Sequence, residues 1–140
     1  MDLGTDAMLV HNAIARLAHL ADEGELADYL ALFTDDAIWE LTDPTLGVAP
    51  DRRVGRADVE VGVTARRSAG VQGPGTATRH VVTTVSVQFE APDTVTSVAY
   101  WMFYTGTTSA PRLNGMGRYD DVFRRTSTGW LLAHRTIRVG

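Results

Sequence analysis

From Thr78 onward the chain changes texture. Four long stretches of alternating, β-branched and aromatic residues follow one another with only short breaks. Residues 80–89, 94–105, 112–125 and 130–139 read as strands. Ala91-Pro92-Asp93 and Thr126-Ser127-Thr128-Gly129 are tight turns, and residues 106–111 form a longer loop. Sequential strands joined this closely pair as an antiparallel meander. Such a sheet buries one face, and the amphipathic material ahead of it is helical. The expected class is therefore α+β, with the helices packed on one face of the sheet.

The helical part is punctuated. In residues 5–22, Val10, Ile14, Leu17 and Ala21 share one face, with Asn12, Arg16 and His19 opposite. Thr5 or Asp6 suits the N-cap and Gly24 the break after the helix. Residues 25–33 form a second helix with Leu26, Tyr29, Leu30 and Phe33 aligned, and Thr34-Asp35-Asp36 ends it as a turn. Residues 37–41 read as a strand and residues 43–53, with two prolines and a glycine, as a loop. Residues 56–68 space Val59, Val63 and Arg66 along one face of a third helix. The glycine-rich residues 69–76 form a loop.

Composition narrows the chemistry. The chain has 140 residues, 44% of them hydrophobic, and reads as one domain spanning 1–140. Net charge is −4, which is not the basic footprint of a nucleic-acid partner. All 13 basic residues are arginine, so lysine bases and Schiff bases are excluded. With no cysteine, disulfides, thiolate nucleophiles and thiolate metal sites are excluded too. The N-terminal MDLGTDAM lacks the basic and apolar regions of a signal peptide, and no apolar run is of membrane-spanning length. A cytoplasmic location is the expectation. No G-x-S-x-G elbow, phosphate loop or dinucleotide fingerprint occurs.

Two residues stand out as candidates for proton chemistry. Asp22 falls at the edge of the apolar face of the first helix, in its last turn, where the helix macrodipole disfavours a carboxylate. Two readings stay open on the residues alone. Asp22-Glu23-Gly24-Glu25 has capping-box spacing, so Asp22 caps the second helix; or it is a partly buried functional acid. His80 opens the first long strand just after the glycine-rich loop. Alternation groups it with Val82, Thr84 and Ser86, against a more apolar face of Val81, Thr83, Val85, Val87 and Phe89. A His–carboxylate pair makes a base near neutral pH, the carboxylate fixing the tautomer and stabilising the imidazolium.

Other candidates concern the walls of a pocket. Tyr100, Trp101, Phe103 and Tyr104 put aromatic groups on both faces of one strand; Trp39, Tyr29 and Met116 add to an apolar wall. Arg135 and Arg138 face opposite sides of the last strand, so one of them reaches the interior as an anion or oxyanion partner. Arg124 and Arg125 flank the final hairpin and read as solvated. The four histidines show no metal-binding spacing, so no metal is expected.

Three stretches together resemble a known family. They are IARLAHLADEGELADYLALFTDDAIWE (14–40), TRHVVT (78–83) and GMGRYDDVFRRTSTGWLLAHRTI (115–137). They look like the SnoaL-like branch of the nuclear transport factor 2-like superfamily. The resemblance implies a cone, with helices on a strongly curved antiparallel sheet around an apolar cavity, and often a homodimer or homotrimer formed through the sheet. Scytalone dehydratase, bile-acid dehydratase and hexachlorocyclohexane dehydrochlorinase resemble one another in an Asp–His dyad, whose positions match Asp22 and His80. The dyad implies a cofactor-independent lyase or isomerase acting on a hydrophobic, steroid- or polyketide-like molecule, with Tyr104 or Tyr100 as the nearest substitute for the charged third partner of those enzymes, Tyr104 being taken as the catalytic candidate. Polyketide cyclases and the structural β subunit of ring-hydroxylating dioxygenases share the fold, so a cyclase and a non-catalytic binding or assembly subunit stand as alternatives.

Overall fold

The computed structural model describes residues 2–42 and 50–140. The elements are α1 (Leu3–Glu23), α2 (Leu26–Leu30), β1 (Phe33–Leu41), β2 (Asp51–Val54), α3 (Arg56–Ser68), β3 (Thr78–Ala91), β4 (Thr94–Thr105), β5 (Arg112–Thr126) and β6 (Gly129–Val139). The strands form one six-stranded sheet in the order β2-β1-β6-β5-β4-β3. The meander β3 to β6 is antiparallel throughout, as its turns dictate.

The sheet is mixed rather than wholly antiparallel, because β1 lies parallel to β6. After β1 the chain runs through β2 and α3 to the far edge of the sheet, and the meander returns beside β1 running in its direction. β2 falls within the segment expected to be a loop; residues 43–49 of that segment lie outside the described residues. It is a four-residue edge strand, tied to β1 by an Arg52–Glu40 ion pair at 3.2 Å between register partners. Short, charged strands are typical of sheet edges.

α2 stops at Leu30, and Thr34-Asp35-Asp36 belong to β1 rather than to a turn. The sheet competes for this backbone: the Leu132 N–H donates to the Leu32 carbonyl at 2.8 Å. α1 starts earlier than its expected caps, with Asp2 as N-cap accepting from the Gly4 N–H. Asp6 is buried instead, accepting from Arg125 at 2.7 Å and from the Trp130 indole at 3.1 Å. These donors hold its carboxyl below the ordinary carboxylate range. Arg125, expected to be solvated, keeps about a third of its side chain exposed (35%) while pairing with this buried carboxylate, and it also lies over the Trp130 ring at 4.6 Å.

The core is the seam between helices and sheet. Val10, Ile14 and Leu17 of α1 and Val59 and Val63 of α3 are fully buried against Phe33, Val95, Phe123 and Leu132. Each such side chain contributes about 1.5–3 kcal/mol by leaving water. Among the described residues no helix is long and apolar enough to cross a membrane.

β3 does not keep one alternation. Its register against β4 shifts between Thr83 and Ser86, and Thr84 has φ of +55°. The bulge inserts one residue, so His80 and Val82 before it and Val85, Val87 and Phe89 after it all turn toward the helices. This replaces the uniform alternation expected from the sequence, and it lets the apolar half of β3 enter the core without taking His80 to solvent. Deleting Thr84 should force one half of the strand to face the wrong way. We expect a loss of at least about 2 kcal/mol in urea denaturation, whereas Thr84→Gly, which keeps the bulge, should stay within about 1 kcal/mol of the parent.

Candidate active site

Asp22 and His80 meet. The Asp22 carboxylate accepts from the His80 backbone N–H at 3.0 and 3.2 Å and contacts the ring Nδ1 at 2.6 Å. Asp22 is buried and the His80 side chain is 15% exposed. An ionised carboxylate only accepts, so in a pair of carboxylate and neutral ring this contact puts the proton on Nδ1 and the free lone pair on Nε2. Nε2 has no hydrogen-bond partner among the described residues, and the ring leans on Phe103, its register partner on β4, with centroids 4.7 Å apart. Asp22 does not cap α2: the N-cap there is Glu25, which makes no side-chain cap bond.

The end of α1 is an unfavourable place for a carboxylate, and a cation from α3 compensates. Arg67 donates to the carbonyls of Leu20 and Gly24 at 3.0 Å each, covering the negative end of the helix beside Asp22. Two glycines permit this. A Cβ on Gly24 would come within 2.8 Å of the Leu20 backbone, so only glycine lets the chain turn so close to α1. Gly73, at φ +102°, lies against the Arg67 side chain where a Cβ would meet Cγ at 2.8 Å. The glycine-rich loop thus presses Arg67 onto the helix end.

His80 lies at the junction of two connected spaces. The inner chamber, about 50 Å³, is bounded by Ile14, Leu17, Tyr29, Val82, Tyr119 and Arg135. The outer mouth, about 270 Å³, is bounded by Leu41, Trp101, Phe103, Asn114 and Val139. Trp39, Arg66, Gln72, Tyr119, Ile137 and His80 line both. A more open groove of about 590 Å³ lies elsewhere, where Arg56 and Arg124 are already paired with Asp35 and Asp36.

The chamber is polar at its floor. Arg135 and Asp121 form a buried two-point ion pair at 2.9 and 2.8 Å. Burial works against the Arg135 charge, but Asp121 outweighs it and holds the guanidinium above its ordinary pKa. The same guanidinium stacks 3.8 Å from the Tyr119 ring centroid. Burial pushes the Tyr119 phenol up to about 12 and raises that of Tyr29 as well. Both phenols therefore remain protonated donors at neutral pH. Neither hydroxyl has a hydrogen-bond partner among the described residues.

Of the residues singled out in the sequence, the structure brings Asp22, His80, Tyr29, Trp39 and Arg135 together. Tyr100, Tyr104, Met116 and Arg138 stand on the other face of the sheet. β4 alternates so that Val95, Ser97, Ala99 and Trp101 are buried while Tyr100 is exposed; the Tyr104 hydroxyl reaches only the Met102 sulfur, at 4.0 Å. Met116 is exposed, and Arg138 pairs with Asp120 at 3.5 Å. His134 contacts Glu40 at 2.7 Å, away from the chamber. Arg135 reaches the interior as expected, but Asp121 already occupies its fork. Sequence reasoning missed Tyr119, Asp121, Arg66 and Gln72. Tyr119 and Asp121 were accessible as one side of the β5 alternation, and Arg66 as the polar member of the Val59–Val63–Arg66 stripe.

An open, curved six-stranded sheet with helices on one face and a polar-floored chamber between defines the nuclear transport factor 2-like cone. The family profile for the SnoaL-like domain matches residues 5–136. The chain belongs to the SnoaL-like family. No curated protein sequence matches it. Among solved structures it is similar to a nuclear transport factor 2-like protein with a cystatin-like fold from Novosphingobium aromaticivorans, with TM-score 0.79 and 22% identity over 98% of this chain and 83% of that one. It is also similar to the β subunit of a putative aromatic-ring-hydroxylating dioxygenase from the same organism, with TM-score 0.78 and 18% identity over 99% and 92% of the two chains. A protein from Catenulispora acidiphila in complex with S-DNPA matches with TM-score 0.75 and 21% identity over 95% and 92%.

The Arg135–Asp121 pair makes a specific stability prediction. Asp121→Ala leaves a buried guanidinium uncompensated and should cost about 3–5 kcal/mol in chemical denaturation. Replacing both partners by apolar residues of similar size, Asp121→Leu with Arg135→Met, should restore most of that loss.

Proposed function

We propose that the protein is a cofactor-independent lyase or isomerase that removes a proton from carbon in a hydrophobic, polyketide-like small molecule. The observation that carries this reading is the 2.6 Å contact between Asp22 and the Nδ1 of a His80 that lines the chamber. In this mechanism His80 Nε2 takes a proton from a carbon next to a carbonyl, and the electron pair moves onto the carbonyl oxygen. Asp22 lies behind the ring; it acts through His80 by holding the Nδ1–H and stabilising the imidazolium. The protonated phenols of Tyr29 and Tyr119 are the available donors to the enolate oxygen, a role Tyr104 cannot fill from the far face of the sheet. The imidazolium then returns its proton, either to a departing hydroxide as the electron pair re-forms the carbonyl and a carbon–carbon double bond, or to a different carbon. The first outcome is dehydration and the second isomerisation. Addition of the enolate to a second carbonyl would be cyclisation.

Size limits the substrate. The inner chamber admits only a few water-sized groups, so the body of the molecule occupies the 270 Å³ mouth. That is near the small end of ligand pockets and favours a compact ring system over a steroid-length one.

A second reading, a non-catalytic binding or assembly subunit, draws support from the fold likeness to a dioxygenase β subunit and from the exposed Tyr100, Leu113 and Met116 on the outer sheet face. Such a face suits association with a second copy of this chain. One experiment separates the two readings. The protein is incubated in D2O with a panel of compact aromatic and polyketide-type ketones, and deuterium uptake at carbon is read by mass spectrometry. Catalysed uptake, reduced roughly 10²–10⁴-fold in His80→Ala and in Asp22→Asn, supports the enzyme. Full rates in both variants would remove the dyad from the mechanism, and no uptake from any ketone favours the subunit.

A further inference from the structure

Arg66 is the one cation lining the chamber and its mouth that has no strong partner among the described residues. It belongs to the last turn of α3 and lies over the Trp39 ring, with the guanidinium carbon 4.4 Å from the centroid. Its neighbour Arg67 uses the same helix end to cap α1. Arg66 makes no hydrogen bond to any described residue, and its Nε is buried without a partner. Among the described residues the carboxylate that approaches it is Asp51, 4.0 Å from Nη1 and engaged by the Arg53 Nε at 2.8 Å. The Arg66 side chain is only 21% exposed, and burial lowers its pKa from the ordinary arginine value.

A guanidinium held this way is costly. Its Nε–H has given up water without gaining an acceptor, and buried polar groups in folded proteins are usually matched by one. The other cation on the chamber wall, Arg135, has its match in Asp121. The planar fork of arginine fits a carboxylate at two points, and the Trp39 ring beneath the guanidinium limits its freedom to move. Since Arg66 borders both spaces together with His80, a ligand bound to it in the mouth has its far edge beside the imidazole.

We propose that Arg66 is the recognition group for an acidic substrate, a compact ring-bearing carboxylic acid whose carboxylate is held at the mouth while its reacting carbon lies against His80. This rests on the reading of His80 as the base for the second half of the statement. The recognition half stands on the geometry of Arg66 alone.

The test uses 2-naphthoate and 2-naphthamide, which share ring and shape and differ in charge. Titration calorimetry on the intact protein should show naphthoate binding about 10-fold or more tightly than the amide, the range for hydrogen bonds to a charged group. Arg66→Met, which keeps an unbranched side chain against Trp39, should bring the two ligands within about 2-fold. Arg66→Lys should keep part of the preference, since it retains the charge without the fork. Equal affinities in the parent protein, no binding of naphthoate at millimolar concentration, or an undiminished preference in a folded Arg66→Met would each overturn the proposal. The parent comparison needs no variant, so an unfolded Arg66→Met does not blunt it. None of these readings requires turnover. Failure of the dyad in the deuterium experiment leaves the naphthoate preference intact, and loss of that preference leaves deuterium uptake from neutral ketones intact.

Discussion

The carboxylate of Asp22 ties two parts of the fold that are distant in sequence. With one group it accepts from the backbone at the start of β3 and from the ring of His80, so the end of α1, the entry to the sheet and the imidazole form one unit. Burying that carboxylate at a helix terminus that disfavours it calls for support from its surroundings. Arg67 supplies the compensating charge, the loop through Gly73 holds Arg67 down, and Gly24 lets the chain leave α1 without a clash. The bulge at Thr84 belongs to the same design, since it lets His80 face the chamber while the rest of β3 still buries its apolar side.

The chamber divides its charges by how well they are matched. Arg135 and Asp121 neutralise one another at the floor and shape it, with Tyr119 stacked on the guanidinium. Two phenols kept protonated by burial offer donors without adding charge. Arg66, at the border of chamber and mouth, is left with unspent hydrogen-bonding capacity. The chamber thus combines a charge-paired floor, the His80 ring on one wall and the unmatched Arg66 at its border with the mouth.

Much of the fold was legible because its signals are local. Turn residues and β-branched alternation marked the meander, and α3 follows from its spacing and occupies residues 56–68 as read. What escaped was decided by tertiary competition. The sheet took Phe33 from the expected second helix and residues 34–36 from the turn expected after it, and β1 paired with β6 in parallel, a long-range choice that no local pattern encodes. The site was legible in part. Asp22 and His80 were found by placement and resemblance, though each had a plain structural reading. Tyr104 was favoured on residue type, but the pleat turns it outward, whereas Tyr119, on the inward side of β5, was passed over. The bulge at Thr84 carries no mark in residue type, since threonine is ordinary in strands and unusual at positive φ.

The central claim is that Asp22 fixes the tautomer of His80, leaving Nε2 without a proton. Long-range ¹H–¹⁵N correlation spectra of the four histidines, recorded at alkaline pH, test it directly. The account predicts a protonated, pyrrole-type Nδ1 and an imine-type Nε2 for His80, with that preference lost in Asp22→Asn. A His80 ring protonated on Nε2, or one averaging between tautomers like an exposed histidine in the parent protein, would contradict it.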